Sequence, residues 1–327
     1  MSRLNLTVDY YRKKTTDLLL NISLPLESGF ESALANRGSV ENKGIEVGLE
    51  ADILRGSNNG LRWRTNINFA KNRNKVLDLG GEPSIFADLI TTDYNLPGTL
   101  IQVGQPIGVF YGFKSLGVIP DSAAAAAITY KPFSGTAFKA GDMLIADVDG
   151  DGIITLADRT NIGDPTPDFT YGFSNTFTWR RFELSGLLQG SHGGKILNVN
   201  RIRTEASPRA NISRDRWENA WTPTNTNAKY PRVGENPNQV GPNNFTSNLL
   251  EDGSYLRLRT ITLSYGAPAW LFGARLYVTG TNLVTWTDYS GFDPDVSGQS
   301  VGNTNRGIDI GAYPLARTII AGLNINY

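Results

Sequence analysis

The chain has 327 residues, of which 40% are hydrophobic and 19% charged, with 31 basic and 31 acidic side chains. This charge balance offers no positive field for nucleic acid, and the absence of cysteine excludes disulfides, thiol catalysis and zinc–thiolate sites. No run approaches the roughly 20 apolar residues of a membrane helix, and residues 1–9 lack the pattern of a secretory signal. Any membrane crossing would therefore use strands.

Residues 4–11 are the first predicted strand, because Leu4, Leu6 and Val8 alternate with polar residues in a period of two. In the strand at 255–265 Arg257 shares its parity with apolar residues, so a bulge or an interfacial position is expected there. The further predicted strands lie at 45–53, 61–69, 107–116, 142–147, 169–179, 182–190, 255–265, 274–284 and 314–327.

The predicted connections are of two kinds. The short ones lie at 55–60, 180–181 and 266–273, and the long ones at 12–43, 72–106, 191–254 and 285–313. Strands of about ten residues with this loop asymmetry are typical of outer-membrane β-barrels, whose short turns face the periplasm. With about ten strands, the connection at 118–141 falls on the periplasmic side, and one miscounted strand would move it.

The end of the chain also reads as a barrel strand. Residues 315–327 alternate and finish on an aromatic residue, in the form Gly322-x-x-Ile325-x-Tyr327. A terminal strand in lipid must be paired, and this form is similar to the signal that the barrel assembly machinery reads. A hydrophobic edge strand of a soluble sheet is the alternative.

An aspartate-rich loop carries the sharpest chemical signal. Asp147, Asp149, Asp151 and Asp158 occupy positions 1, 3, 5 and 12 of a twelve-residue calcium loop, and Ile153 would offer its backbone carbonyl at position 7. Aspartate replaces the longer glutamate at position 12, and the flanks are not helical. The sequence therefore predicts a structural Ca²⁺ ion, with a solvated acidic turn as the alternative.

Around this loop the sequence resembles the SusC/RagA-type TonB-linked outer-membrane proteins. The segments that carry the resemblance are 36–46, 141–174, 189–198, Tyr255-Leu-Arg257, Thr281-Asn-Leu283 and Gly291-Phe-Asp-Pro-Asp295.

The resemblance implies an all-β fold, namely a transmembrane antiparallel barrel of about 22 strands to which residues 1–327 contribute the C-terminal part. It also implies TonB-dependent import of oligosaccharides or peptides in the bacterial outer membrane. A SusD-like lipoprotein, the TonB complex, the barrel assembly machinery and outer-membrane lipid would be the partners. Neither the family's plug nor its TonB-recruiting segment has a counterpart here, so a fragment or truncated gene model is expected.

Two other functions are weighed against import. An outer-membrane enzyme would need a catalytic set, but the single histidine, His192, follows Ser191 directly, and adjacent residues rarely have triad geometry. A soluble calcium-binding β module is the other alternative. Trp217 and Trp221, at helical spacing, are predicted to form a small loop core rather than to stack on a sugar or a capping partner.

Overall fold

The structure is a computed structural model that describes residues 3–23, 27, 29–30, 32–56, 60–86, 99–201, 211–234, 246–268, 270, 273–296 and 306–325. Within them lie two short α-helices, α1 (Ser122–Ala126) and α2 (Arg214–Glu218), and 3₁₀ turns at Leu156–Asp158 and Ser247–Leu249. The strands are β1 (Leu4–Thr16), β2 (Leu19–Ser23), β3 (Ser32–Asn36), β4 (Ser39–Arg55), β5 (Arg62–Asp78), β6 (Ser84–Phe86), β7 (Leu100–Gln102), β8 (Phe110–Phe113), β9 (Ser115–Val118), β10 (Met143–Ile145), β11 (Arg159–Gly163), β12 (Phe169–Trp179), β13 (Phe182–His192), β14 (Lys195–Asn198), β15 (Leu250–Asp252), β16 (Tyr255–Gly266), β17 (Arg275–Thr287), β18 (Ile308–Asp309) and β19 (Thr318–Asn324).

Eight of these strands form one antiparallel sheet in the order β1-β4-β5-β12-β13-β16-β17-β19. Each strand pairs with its neighbour along the chain once the long connections are set aside, so the sheet is an up-and-down meander. The remaining strands form small sheets of two or three strands within the connections. The prediction of an all-β antiparallel barrel wall is therefore confirmed.

The two faces of the large sheet differ in chemistry. One row of cross-strand partners is apolar and consists of Leu6, Leu49, Ile67, Phe173, Leu188, Leu258 and Val284. The adjacent row on the other face contains only polar residues and glycine, namely Thr7, Gly48, Asn68, Gly172, Gln189, Arg257 and Thr285. Because alternate residues point to opposite faces, the sheet has one apolar and one polar surface.

The apolar face is not covered by protein in the described residues. Leu6 is 58% exposed, Leu263 52% and Val278 50%. The buried apolar clusters lie mainly in the connections instead, one around Phe113 and Ile154 and another around Phe110 and Leu197. An apolar surface of this extent needs a nonaqueous neighbour, which lipid provides.

The structure corrects the predicted strand count. Residues 107–116 and 142–147 do not join the large sheet; they contain the short strands β8, β9 and β10, whose apolar side chains bury one another. The described residues between β5 and β12, 79–86 and 99–168, therefore lie in one connection at one end of the sheet. The connection at 118–141 lies at the same end of the sheet as the other long connections, whereas the predicted strand count placed it at the end with the short turns.

A β-bulge accounts for the irregular alternation of β16. The pairing of β16 with both neighbours skips Arg259 between Leu258 and Thr260. The extra residue shifts the parity, so that Arg257 lies on the polar face while Leu263 stays on the apolar face. Of the two explanations that the sequence left open, the bulge is the one found.

Cross-strand tyrosine–glycine pairs fix the register in three places. Tyr11 lies opposite Gly44, Tyr171 opposite Gly190 and Tyr277 opposite Gly322. In each pair a Cβ atom on the glycine would collide with the tyrosine ring. Glycine is required at these positions because the ring covers the backbone of the neighbouring strand.

Candidate functional site

The aspartate loop, residues 147–158, lies in the connection between β5 and β12. One carboxylate oxygen from each of Asp147, Asp149 and Asp151 lies within 4.8 Å of the others. Ile145 before the loop and Ile154 within it are buried in the apolar cluster around Phe113. The cluster therefore anchors the loop and leaves the carboxylates of Asp147, Asp149 and Asp151 partly or fully exposed.

Backbone amides shape the turn. Asp147 accepts hydrogen bonds from the amides of Gly150 at 2.8 Å and Gly152 at 3.1 Å. Asp151 accepts from the amide of Ile153 at 2.8 Å. Gly152 has a φ of +87°, which explains glycine at position 6. These bonds fix the turn that brings the three carboxylates close together.

Asp158 lies outside this group of carboxylates. It is fully buried, and its Oδ1 and Oδ2 accept the amides of Val148 and Thr155, each at 2.7 Å. Together with the Thr155 hydroxyl it forms a capping box on the short helix at Leu156–Asp158. The structure thus brings three of the four predicted acidic ligands together, and the fourth closes the loop by holding its backbone.

Tyr130 packs against the apolar cluster that anchors the loop. Its hydroxyl donates to the carbonyl of Ile145 at 2.7 Å. Burial raises the pKa of Tyr130, and the charges of Asp147 and Asp158 raise it further. The phenol therefore stays protonated and keeps donating at physiological pH.

The connection that carries the loop is tied to the connection between β13 and β16. The Nε of Arg232 donates to the fully buried carboxylate of Asp142 at 2.8 Å. Trp221 donates its indole N–H to the carbonyl of Pro120 at 2.8 Å, and its ring occupies the space beside Gly141. Trp221 thus joins two connections, whereas Trp217 is 69% exposed. The predicted shared loop core is right for Trp221 and wrong for Trp217.

A buried ion pair joins the sheet to the connection after β17. The guanidinium of Arg257 is 1% exposed; it contacts Asp293 and donates from Nε to the hydroxyl of Thr285 at 3.0 Å. Its carbon atom lies 5.2 Å from the ring centroid of Tyr255. Sequence reasoning found no function for this pair, although the odd parity of Arg257 was a signal that could have found it.

His192 makes the contacts of a structural residue, namely a ring stack and a backbone hydrogen bond. Its ring stacks on Phe169 with centroids 4.9 Å apart, and its carbonyl accepts the amide of Asp168 at 2.8 Å. The Arg73 hydrogen bond, assisted by nearby positive charges, lowers the pKa of Asp168. The Asp168 carboxylate is therefore engaged by Arg73, as expected of an ion pair rather than of a catalytic triad.

The predicted assembly signal is described in part. Gly322 lies in β19 opposite Tyr277, and Ile325 is 51% exposed just after that strand. Tyr327 lies outside the described residues. No helix in the described part of the chain is long and apolar enough to cross a membrane.

An antiparallel meander with one lipid-compatible face, one polar face and its long connections at a single end is a barrel wall of the outer-membrane type. No family model matches the sequence. TonB-dependent receptor P3 of Formosa agariphila is 38% identical over 342 aligned residues, which cover 100% of this chain and 32% of the relative. TonB-dependent receptor SusC of Bacteroides thetaiotaomicron is 26% identical, with 98% of this chain and 30% of the relative covered.

Solved structures agree. The structure of the RagAB peptide transporter matches with a TM-score of 0.74 and 27% identity, over 98% of this chain and 33% of that chain. Over nearly its whole length the chain is therefore similar to one part of the SusC/RagA-type TonB-dependent receptors, which are β-barrel proteins of the outer membrane. It spans about a third of the length of the relatives it matches. These relatives are named as receptors or transporters, which agrees with the expectation that the chain is not an enzyme.

Proposed function

We propose that the chain is a section of the barrel wall of an outer-membrane importer that takes up nutrients with energy delivered through TonB. The continuous apolar row beside a polar row carries this proposal, because such a wall separates lipid from an aqueous lumen. The names of the relatives support the dependence on TonB, and the description of RagAB as a peptide importer supports the direction of transport.

The substrate in this proposal is an oligosaccharide or a peptide. RagAB is described as a peptide transporter, which supports the second class for a protein of this fold. The partners in this proposal are a SusD-like lipoprotein at the end with the long connections and TonB at the end with the short turns. The two ends of the sheet differ in the length of their connections, so labelling each end separately can test which one faces the outside of the cell.

Cysteine labelling tests the membrane setting, since the chain contains no cysteine. Leu6→Cys on the apolar face should resist a water-soluble maleimide in isolated outer membranes, while its neighbour Thr7→Cys should react. Ser134→Cys in the connection between β5 and β12 should be labelled on intact cells, and Arg181→Cys in a short turn only after permeabilisation. Equal labelling of Leu6→Cys and Thr7→Cys contradicts a barrel wall.

Uptake itself needs a separate experiment. Cells lacking the gene should lose growth on either defined oligosaccharides or defined peptides as the sole carbon source, and the intact gene should restore it. A strain with inactive TonB should show the same loss. Normal growth of the deletion strain on both classes of nutrient contradicts the proposed import.

We further propose that the aspartate loop holds a structural Ca²⁺ ion through Asp147, Asp149 and Asp151, with the carbonyl of Ile153 as a fourth ligand. Three convergent carboxylates are the hard oxygen donors that this ion prefers. Asp158 does not fit the part of a closing ligand, because its carboxylate is fully buried and lies outside the group formed by the other three. The ion would therefore bind with fewer protein ligands than in a full twelve-residue calcium loop, and water would complete its shell.

Thermal unfolding with and without calcium tests this site. Calcium should raise the melting temperature of the wild type, and Asp149→Asn should abolish that rise without lowering stability in chelator. Asp158→Asn is the matched contrast: it should destabilise the loop even in chelator, since it removes an acceptor of buried amides. A wild type indifferent to calcium rules out the metal site.

A further inference from the structure

A group of basic side chains lies on the apolar face of the large sheet, at the end with the long connections. We call it the basic patch; it comes from β1, β4 and β5 and consists of Arg12, Lys14, Lys43, Lys71, Arg73 and Lys75. Strand alternation places these residues on the same face as Val8, Val47 and Phe69, which are cross-strand partners further along the strands. The basic patch therefore adjoins the surface that faces lipid.

The basic patch is confined to one side of the sheet. In β13, β16 and β17 the same face ends toward the long connections on His192, Leu256 and Trp286. Aromatic rings lie just below the patch, since the ring of Phe169 is 5.3 Å from that of Phe69 and 4.9 Å from that of His192. Aromatic residues mark the membrane interface in barrels, so the patch lies at the level of the lipid headgroups.

Like charges face one another within the basic patch. Arg12 lies opposite Lys43, and Lys43 lies opposite Arg73, so that three basic residues form one cross-strand row. Neighbouring strands are only about 4.8 Å apart, and like charges directly opposite each other destabilise the pairing of strands. The row therefore requires negative charge nearby to offset this repulsion.

The protein supplies only part of that negative charge. The Nε of Arg12 donates to Glu41 at 2.6 Å, and Arg73 pairs with Asp168. Four members of the patch are exposed and form no salt bridge within the described part of the chain, namely Lys14, Lys43, Lys71 and Lys75. The basic patch thus keeps a formal excess of four positive charges.

We propose that the basic patch binds the phosphate groups of a glycolipid of the outer leaflet, whose acyl chains lie against the apolar face below. Arginine and lysine donate charge-assisted hydrogen bonds to phosphate, and their long stems reach from an apolar surface to a headgroup. The proposal rests on the proposed function for the outward orientation of the long connections. The phosphorylated glycolipid of that leaflet is lipopolysaccharide, through its lipid A part.

Thermal unfolding tests the basic patch, with the protein purified from outer membranes in detergent and freed of lipopolysaccharide. The probes are phosphorylated lipid A, dephosphorylated lipid A and phosphatidylglycerol. Phosphorylated lipid A should raise the melting temperature and bind on the order of tenfold more tightly than the other two lipids. Inorganic phosphate at the same concentration should not displace it, because free phosphate lacks the acyl chains.

Variants localise the binding. Lys43→Gln combined with Lys71→Gln should weaken the binding of lipid A on the order of tenfold. Lys43→Gln alone should not lower the melting temperature without lipid, because it removes one of three like charges from the row. Lys13→Gln is the matched control: Lys13 is also exposed on β1, but it lies on the polar face opposite Asn42. It should leave the affinity unchanged.

Several results overturn the proposal: no stabilisation by lipid A, equal affinity for either of the other lipids, or equal losses in the double variant and Lys13→Gln. A double variant that keeps lipid A but loses a co-purifying lipoprotein would assign the patch to a protein partner instead. Failure of the uptake experiment with retained binding of lipid A would refute import and leave the basic patch standing. Intact uptake without binding of lipid A would refute the patch alone.

Discussion

Replacing Asp293 by asparagine removes the negative partner of a guanidinium that is 1% exposed. The asparagine keeps the shape of the side chain, so the main change is that the buried charge of Arg257 loses its close partner and keeps only Asp295, at 3.8 Å. Breaking a buried ion pair in this way costs about 3–5 kcal/mol. The aromatic contact with Tyr255 and the bond to Thr285 remain and offset only part of this cost.

The loss should appear locally, because Asp293 also holds the connection after β17. Its Oδ1 accepts the amide of Asp295 at 2.9 Å, and its Oδ2 accepts that of Leu315 at 3.4 Å. The backbone pairing of β16 with β17 does not depend on either bond. Hydrogen exchange followed by mass spectrometry should therefore show faster exchange in peptides that contain 289–296 and 315, with β16 unchanged.

Asp295→Asn is the matched control. Asp295 is 54% exposed and 3.8 Å from the same guanidinium, so its loss should cost about 0–1 kcal/mol. The double variant Arg257→Met, Asp293→Leu should recover part of the stability, since it leaves no buried charge unpaired. Equal exchange in Asp293→Asn and Asp295→Asn would refute the reasoning.

Three further predictions concern packing and charge. Gly44→Ala should lower the free energy of unfolding, measured by urea titration, by about 1–3 kcal/mol, because its Cβ would collide with the Lys71 carbonyl and the Tyr11 ring. Gly48→Ala on the same strand should change it little, because its Cβ would meet only the Thr7 Cβ, at an ordinary contact distance of 4.0 Å. Trp221→Ala should cost about 2 kcal/mol of loop stability and Trp217→Ala about 0.5 or less, measured by thermal unfolding; equal losses would contradict the assigned packing. The pKa of Asp215 is lowered chiefly by the Lys229 hydrogen bond, so its stabilisation is complete above the ordinary aspartate pKa of about 3.9 and is lost as pH falls through the lowered pKa. Pepsin should therefore cleave within 211–234 increasingly as the pH drops below about 4, and Asp215→Asn should remove that dependence.

Much of the large sheet was predictable from local pattern. Alternation identified β1, β4, β5, β12 and β13, because each strand must match lipid on one face and water on the other. The same criterion overcounted at 107–116 and 142–147, since short apolar runs also fill the core of a loop subdomain. Only their burial against one another distinguishes the two cases.

The aspartate loop, too, was predictable from the sequence only in part. Spacing in the sequence indicated that Asp147, Asp149 and Asp151 lie close together. They occupy positions 1, 3 and 5 of a tight turn with glycine at position 6. Spacing alone could not show that Asp158 turns inward, since that depends on the amides of Val148 and Thr155. The ion pair between Arg232 and Asp142 could not be predicted for a similar reason, because its two residues belong to connections far apart in the chain.

The amino-acid sequence by itself determined the class of this protein: an antiparallel barrel wall, its strand faces and its short and long connections. These features follow from neighbours along the chain, where a period of two is enough to define a face. Only the tertiary structure decided the bulge at Arg259, the pairing of Arg257 with Asp293 and the pairing of Arg232 with Asp142. Each of these depends on contacts between distant segments, whose energies no local pattern records.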